Sequence, residues 1–129
     1  MIIGTGCDIV ENTLTRNLKW SSNICIQQRI FSPRELELLV VYQKNNNADS
    51  FLSGRFAVKE AVLKCLGTGM KDGIRLTDIE VLKIESGQPF LILNGEVKAI
   101  ADRLHITSWH ISISHTKDNS LAFVIAESQ

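Results

Sequence analysis

Glu60 and Lys64 stand four residues apart in a segment that reads as helix, so their side chains share one face. Gly54, Ala57 and Ala61 surround that face. Side chains this small fill little space, and the pattern predicts room for a ligand beside a carboxylate and an ammonium. The simpler alternative is a solvated ion pair worth about 0.3–0.5 kcal/mol. Asp8 follows a glycine-bearing strand. Alone it reads as a strand-end turn residue; with Glu60 it supplies two hard oxygen donors. Mg²⁺ is often held by one or two carboxylates, with waters and phosphate oxygens completing its octahedron. Gly67-Thr68-Gly69 carries backbone N–H groups that could form a phosphate nest, although an ordinary glycine helix cap explains it equally simply. His110 lies on the polar face of a strand and suits a phosphate contact, whereas His115, at the strand end, fits a surface position as well. Gly4-Thr5-Gly6 opens like a dinucleotide fingerprint, but the third glycine is missing and Asp8 would repel a pyrophosphate.

These residues need a framework to bring them together. Residues 2–10 predict a strand on which Gly4, Gly6 and Asp8 face one way and Ile3, Thr5 and Cys7 the other; the two glycines predict open space over their face. Leu14, Leu18, Ile24 and Ile26 suggest one or two short helices broken near Ser21-Ser22-Asn23. Ser32, Pro33 and Glu35 are the N-cap, first residue and capping-box glutamate of a helix with Leu36, Leu39 and Val40 as its apolar stripe. A second helix runs from Asp49 or Ser50 to Leu66, ended by Gly67 in the left-handed conformation. Two strands around Ser86-Gly87-Gln88-Pro89 form a hairpin. A helix over 95–104 follows, with Val97, Ile100, Ala101 and Leu104 on one face. Two strands end the chain, the first with Trp109, Ile111 and Ile113 opposite His110, Ser112 and Ser114. This order predicts an α+β fold with a mostly antiparallel sheet and packed helices.

Composition narrows the function. A chain of 129 residues, 44% hydrophobic and 22% charged, has the size and profile of a single domain over 1–129. Fourteen basic residues balance fourteen acidic ones. Without a concentrated basic field, no attraction to nucleic acid or to an anionic membrane surface is expected. No apolar run approaches the roughly 18–20 residues of a membrane span, and the N-terminus lacks the basic region of a signal peptide. Cys7, Cys25 and Cys65 match neither a zinc spacing nor CxxC, so free thiols in a reducing cytoplasm are expected.

Three segments make the chain resemble a known family: Gly4-Thr5-Gly6-Cys7-Asp8-Ile9-Val10-Glu11; Gly54-Arg55-Phe56-Ala57-Val58-Lys59-Glu60-Ala61 through Lys64 to Gly67-Thr68-Gly69; and His110-Ile111-Ser112-Ile113-Ser114-His115-Thr116. The Gly87-Gln88-Pro89 turn fits as well. The chain resembles the holo-acyl-carrier-protein synthases, the small bacterial class of 4′-phosphopantetheinyl transferases, over nearly its whole length. The resemblance implies the 4′-phosphopantetheinyl transferase-like fold and a cytoplasmic, homotrimeric enzyme of fatty acid and lipid biosynthesis. Such an enzyme moves the 4′-phosphopantetheine arm of coenzyme A to a serine of acyl carrier protein, with Mg²⁺, and releases adenosine 3′,5′-bisphosphate. It implies Asp8 and Glu60 as metal ligands, and Glu60 and Lys64 as catalytic groups. Glu60 would take the serine proton directly or through a water on the metal. Arg55, Lys64, Gly67, Thr68, Gly69 and His110 would line the coenzyme A site. The family arginine that helps dock the carrier is replaced here by Leu14, leaving Arg16, Lys19, Arg29 and Arg34 as the basic residues nearby. A non-catalytic coenzyme A or nucleotide-binding module and a purely structural trimer are the competing readings.

Overall fold

The computed structural model describes residues 1–71 and 73–129. Strand β1 (Ile2–Glu11) leads into the short helices α1 (Asn12–Asn17) and α2 (Ile24–Ile30), then α3 (Pro33–Lys44) and the long α4 (Ala48–Leu66). A 3₁₀ turn at Leu76–Asp78 precedes a hairpin of β2 (Ile79–Lys83) and β3 (Pro89–Leu93). Helix α5 (Gly95–Arg103) and the strands β4 (Ser108–His115) and β5 (Asn119–Glu127) complete the chain. The expected α+β architecture is present. Its antiparallel strands form two sheets, a three-stranded one in the order β1-β5-β4 and the β2-β3 pair.

Helix α4 lies on the three-stranded sheet and is nearly enclosed. Leu52, Val58, Val62, Leu63, Cys65 and Leu66 are all buried. The sheet meets it through Val10, Ala122, Val124 and Ala126, while β2 adds Ile79 and Val81 and α5 adds Val97 and Ala101. A second cluster of Trp20, Phe31, Leu39, Phe51 and Leu52 packs the preceding helices. Trp20 sits edge-on to Phe56 with ring centroids 5.3 Å apart.

The alternation predicted for β1 is present, but the space over its glycines is filled. A Cβ on Gly6 would lie 1.9 Å from the carbonyl oxygen of Ala61, and one on Gly4 would lie 2.5 Å from that of Cys65. The glycines therefore let the backbone of α4 rest directly on the strand. Ala57 and Ala61, fully buried, belong to the same close approach rather than to a ligand pocket. Gly54 makes room for the His115 ring: its missing Cβ would sit 2.8 Å from Cε1.

Other expectations shift in detail. The capping box at Ser32 and Glu35 forms, and Gly67 ends α4 at φ 75°. Helix α4 begins at Ala48, slightly earlier than predicted. Val40 points to solvent, as do Leu14, Leu18 and Ile24, and Trp20 supplies the buried anchor in that region. Lys59 and Glu35 form a fully buried ion pair at 2.7 Å. The ammonium also donates to the Leu76 and Ile79 carbonyls. The carboxylate accepts from the backbone N–H groups of Ser32 and Val81. One ion pair thus ties α3 and α4 to β2.

Candidate active site

The close packing of α4 on β1 places Glu60 and Lys64 beside Asp8. Lys64 Nζ donates to Asp8 Oδ1 at 2.9 Å and to the Cys7 carbonyl at 3.0 Å. The ion pair expected within the helix is therefore replaced by one to the strand. Among the described residues no side chain or backbone group hydrogen-bonds to the Glu60 carboxylate. Burial, and secondarily the charge of Asp8, push its pKa up, and Lys64 offsets only part of this. The hydrogen bond to Asp8, then its charge, raises the pKa of Lys64. Two carboxylates thus stand near one ammonium, which pairs with Asp8 alone and leaves the Glu60 charge for a cation to neutralise.

Asp8 and Glu60 lie at a cavity of about 490 Å³ whose walls are mostly apolar: Ile9, Val10, Leu14 and Phe56, with Glu11 at its edge. A second cavity of about 290 Å³ lies on another flank of α4 and contains Arg55, Tyr42, Lys83, Ile113 and His115. Arg55 is buried and stacked over the Phe51 ring at 3.9 Å. Among the described residues its Nε has no hydrogen-bond partner, and desolvation depresses its pKa.

The sequence-predicted residues therefore separate into groups. Asp8, Glu60 and Lys64 come together. Arg55 lies in the second cavity, lined also by His115. His110 points to the opposite face of the sheet, since it is in register with Ile125 and, across β5, with the outward-facing Thr5. There its Nε2 meets Glu127 Oε1 at 3.1 Å. At the Gly67–Gly69 turn, the N–H of Gly67 bonds to the Lys64 carbonyl and that of Thr68 to the Leu63 carbonyl. Those two amides cap α4 and are not free to form a nest. His115 has a weaker sequence signal than His110 because its strand-end position suits solvent, and the residue is indeed exposed; the register, opposite Ser120, nevertheless puts it on the α4 side of the sheet, above Gly54. Lys59 had no signal beyond its place beside Glu60.

Comparison with known proteins decides the family. Residues 4–124 match the model of the 4′-phosphopantetheinyl transferase superfamily. The chain belongs to that superfamily. It is 39% identical over 129 residues to a holo-[acyl-carrier-protein] synthase of Hydrogenovibrio crunogenus, covering 100% of this chain and 99% of the relative. Its fold matches the holo-[acyl-carrier-protein] synthase of Neisseria meningitidis with a TM-score of 0.85 at 29% identity, over 99% of this chain and 100% of the other. The Bacillus anthracis synthase, crystallised with CoA (3′,5′-ADP), matches with a TM-score of 0.82 at 32% identity, over 100% of this chain and 99% of the other. This transferase is thus an enzyme of the holo-[acyl-carrier-protein] synthase kind. No described helix is long and apolar enough to cross a membrane.

Proposed function

We propose that the chain transfers the 4′-phosphopantetheine group of coenzyme A to a serine of apo acyl carrier protein, with Mg²⁺, releasing adenosine 3′,5′-bisphosphate. The observation that carries this reading is the Asp8–Glu60–Lys64 cluster beside a cavity, two carboxylates against one ammonium. The serine oxygen would form a bond to the β-phosphorus of coenzyme A as the bond to the bisphosphate breaks. Such transfer depends mainly on positioning and charge neutralisation.

The donor set fits Mg²⁺. Two carboxylates from rigid elements leave the remaining positions to water and phosphate oxygens, so the absence of a larger cluster among the described residues is compatible with this ion. Asp8 and Glu60 would hold it; bound there, the ion supplies Lewis-acid polarisation of the diphosphate. Lys64 adds positive charge where the phosphoryl oxygens gain negative charge. Glu60 takes the serine proton, directly or through a water. Arg55, with an unpartnered buried N–H, and Lys83 suit the anionic end of coenzyme A. Thr68 and Gly69 remain candidate contacts on the turn that follows Lys64 at the end of α4, although two amides of the Gly67–Gly69 turn serve the helix cap.

The enzyme is proposed to act as a homotrimer in the cytoplasm, in fatty acid and lipid biosynthesis. Support for assembly comes from the outer face of the three-stranded sheet. Ile9, Leu121 and Phe123 are 64%, 40% and 43% exposed there, an apolar face that no element among the described residues covers. His110 stands on the same face, so it would meet coenzyme A through a neighbouring copy rather than within its own chain. Incubating the protein with coenzyme A, Mg²⁺ and an apo carrier, then weighing the carrier, tests the activity. A gain of one phosphopantetheine is expected; coenzyme A binding without that gain would instead indicate a binding module. A monomer in sedimentation at working concentration would refute the trimer.

A further inference from the structure

Four polar side chains from four elements meet on the side of α4 that faces the Arg55 cavity. Asn12, Ser53 and Ser120 are 2%, 0% and 0% exposed. His115 turns its Nδ1 edge toward them and lines the cavity with the rest of its ring. Three short contacts join the set: Asn12 Oδ1 to Ser53 Oγ at 2.6 Å, Ser53 Oγ to Ser120 Oγ at 2.8 Å, and Ser120 Oγ to His115 Nδ1 at 2.8 Å. Polar atoms held this close each need a proton between them.

Direction in this chain is set at Asn12. Its amide nitrogen donates to the Lys117 carbonyl at 3.1 Å, so the amide oxygen is the atom that faces Ser53. That oxygen brings no proton. The Ser53 proton must therefore go to Asn12, and the Ser120 proton to Ser53. The imidazole must supply the third. The longer Ser120–Asn12 and Ser53–Ser50 contacts, both 3.3 Å, are secondary.

We infer that Asn12 is a positioning residue which, through Ser53 and Ser120, locks His115 in the Nδ1–H tautomer and leaves Nε2 as the nitrogen that meets the ligand. Gly54, lacking a Cβ, leaves room for the Cε1 edge of the ring. Burial, with the nearby Arg55 charge, lowers the His115 pKa and favours the neutral ring. Nε2 then accepts from an N–H or O–H of a bound molecule, or takes up a proton and donates to a phosphate, without disturbing the relay. The relay itself follows from the chain alone; its use in binding coenzyme A rests on the function proposed above.

The test is ¹⁵N NMR of the imidazoles in the intact protein, at a pH above the His115 pKa. The wild type is expected to show His115 protonated at Nδ1 and bare at Nε2; an Nε2–H tautomer there overturns the inference, and this arm needs no variant to fold. Ser120→Ala and Asn12→Ala are expected to shift the ring toward Nε2–H. Asn12→Asp, which keeps an acceptor oxygen, is expected to retain Nδ1–H. The same Ser120→Ala protein should show KM for coenzyme A raised roughly tenfold, the size of one lost hydrogen bond, with kcat changed less. An altered tautomer with unchanged KM overturns the positioning role. Absence of any coenzyme A binding by the wild type would instead defeat the proposed function and leave the tautomer result standing.

Discussion

Replacing Gly6 with alanine tests how the fold makes the site. The new Cβ would lie 1.9 Å from the Ala61 carbonyl oxygen, whereas such contacts essentially never fall below 3.0 Å. The strand and α4 must separate locally by about 1.1 Å. The obstacle is backbone, so no rotamer change relieves it. Overpacking of this kind typically costs about 1–3 kcal/mol. Glu60 and Lys64 lie one residue before and three after Ala61, so the same displacement moves them away from Asp8. A misplacement near 1 Å can cost about a hundredfold in rate. Gly6→Ala is therefore expected to lower the thermal midpoint by several degrees and turnover by roughly two orders of magnitude. Adding Ala61→Gly should not rescue either loss, because the clashing atom is a carbonyl oxygen. Thr5→Ala, on the exposed face of the same strand, serves as control. Thermal unfolding and mass analysis of the carrier give the two readouts. A Gly6→Ala protein with wild-type stability and turnover would refute the account of α4 resting on β1.

Three further outcomes follow from other parts of the molecule. Lys59→Met leaves Glu35 buried without its partner and should destabilise the protein by about 3–5 kcal/mol in denaturant titrations, whereas joining it to Glu35→Leu should recover much of the loss. The raised pKa of Glu60 means that, without metal, the folded state binds more protons than the unfolded state between the ordinary carboxylate pKa and the raised one. Stability from this group is present below that window and lost as pH rises through it; Glu60→Gln should thus be more stable than wild type at neutral pH, equal to it in acid, and poor in turnover, and equal stability at every pH would contradict the burial argument. Arg16→Glu with Lys19→Glu should raise KM for an acidic carrier, most at low salt, and leave coenzyme A binding intact, with unchanged carrier kinetics across a salt series excluding this patch.

The basic patch also shows where sequence reasoning reached its limit. Spacing of three suggests that Arg16 and Lys19 project from one helical face. Helix α1 instead ends at Asn17, and Lys19 has a φ of 55°, so the two leave the chain in different directions. Arg16 approaches Asp49 at 3.6 Å, and Arg34 pairs with Glu80; among the described residues, Lys19 and Arg29 form no ion pair. Charge and spacing announced a patch but not the partners that partly neutralise it.

Local signals served well where one physical cause dominates. The capping box at Ser32 and the left-handed Gly67 both follow from backbone groups that must be satisfied within a few residues. The Asp8–Glu60–Lys64 grouping was legible because strand alternation and helical spacing each present their residues in a fixed direction. Small residues were ambiguous, since Gly54, Ala57 and Ala61 look the same whether they admit a ligand or another backbone. At Ala61 the position of β1 distinguishes those cases by bringing the Gly6 position against the Ala61 carbonyl, and at Gly54 the His115 ring does so. The histidines show the same dependence on long-range register. His110 and His115 are five residues apart, so alternation sends them to opposite faces of β4, but sequence does not say which face meets α4. The pairing of His115 with Ser120 and of His110 with Ile125 supplies that answer. It gives the inward histidine to the Arg55 cavity and leaves the outward one on the apolar face proposed to meet a neighbouring copy.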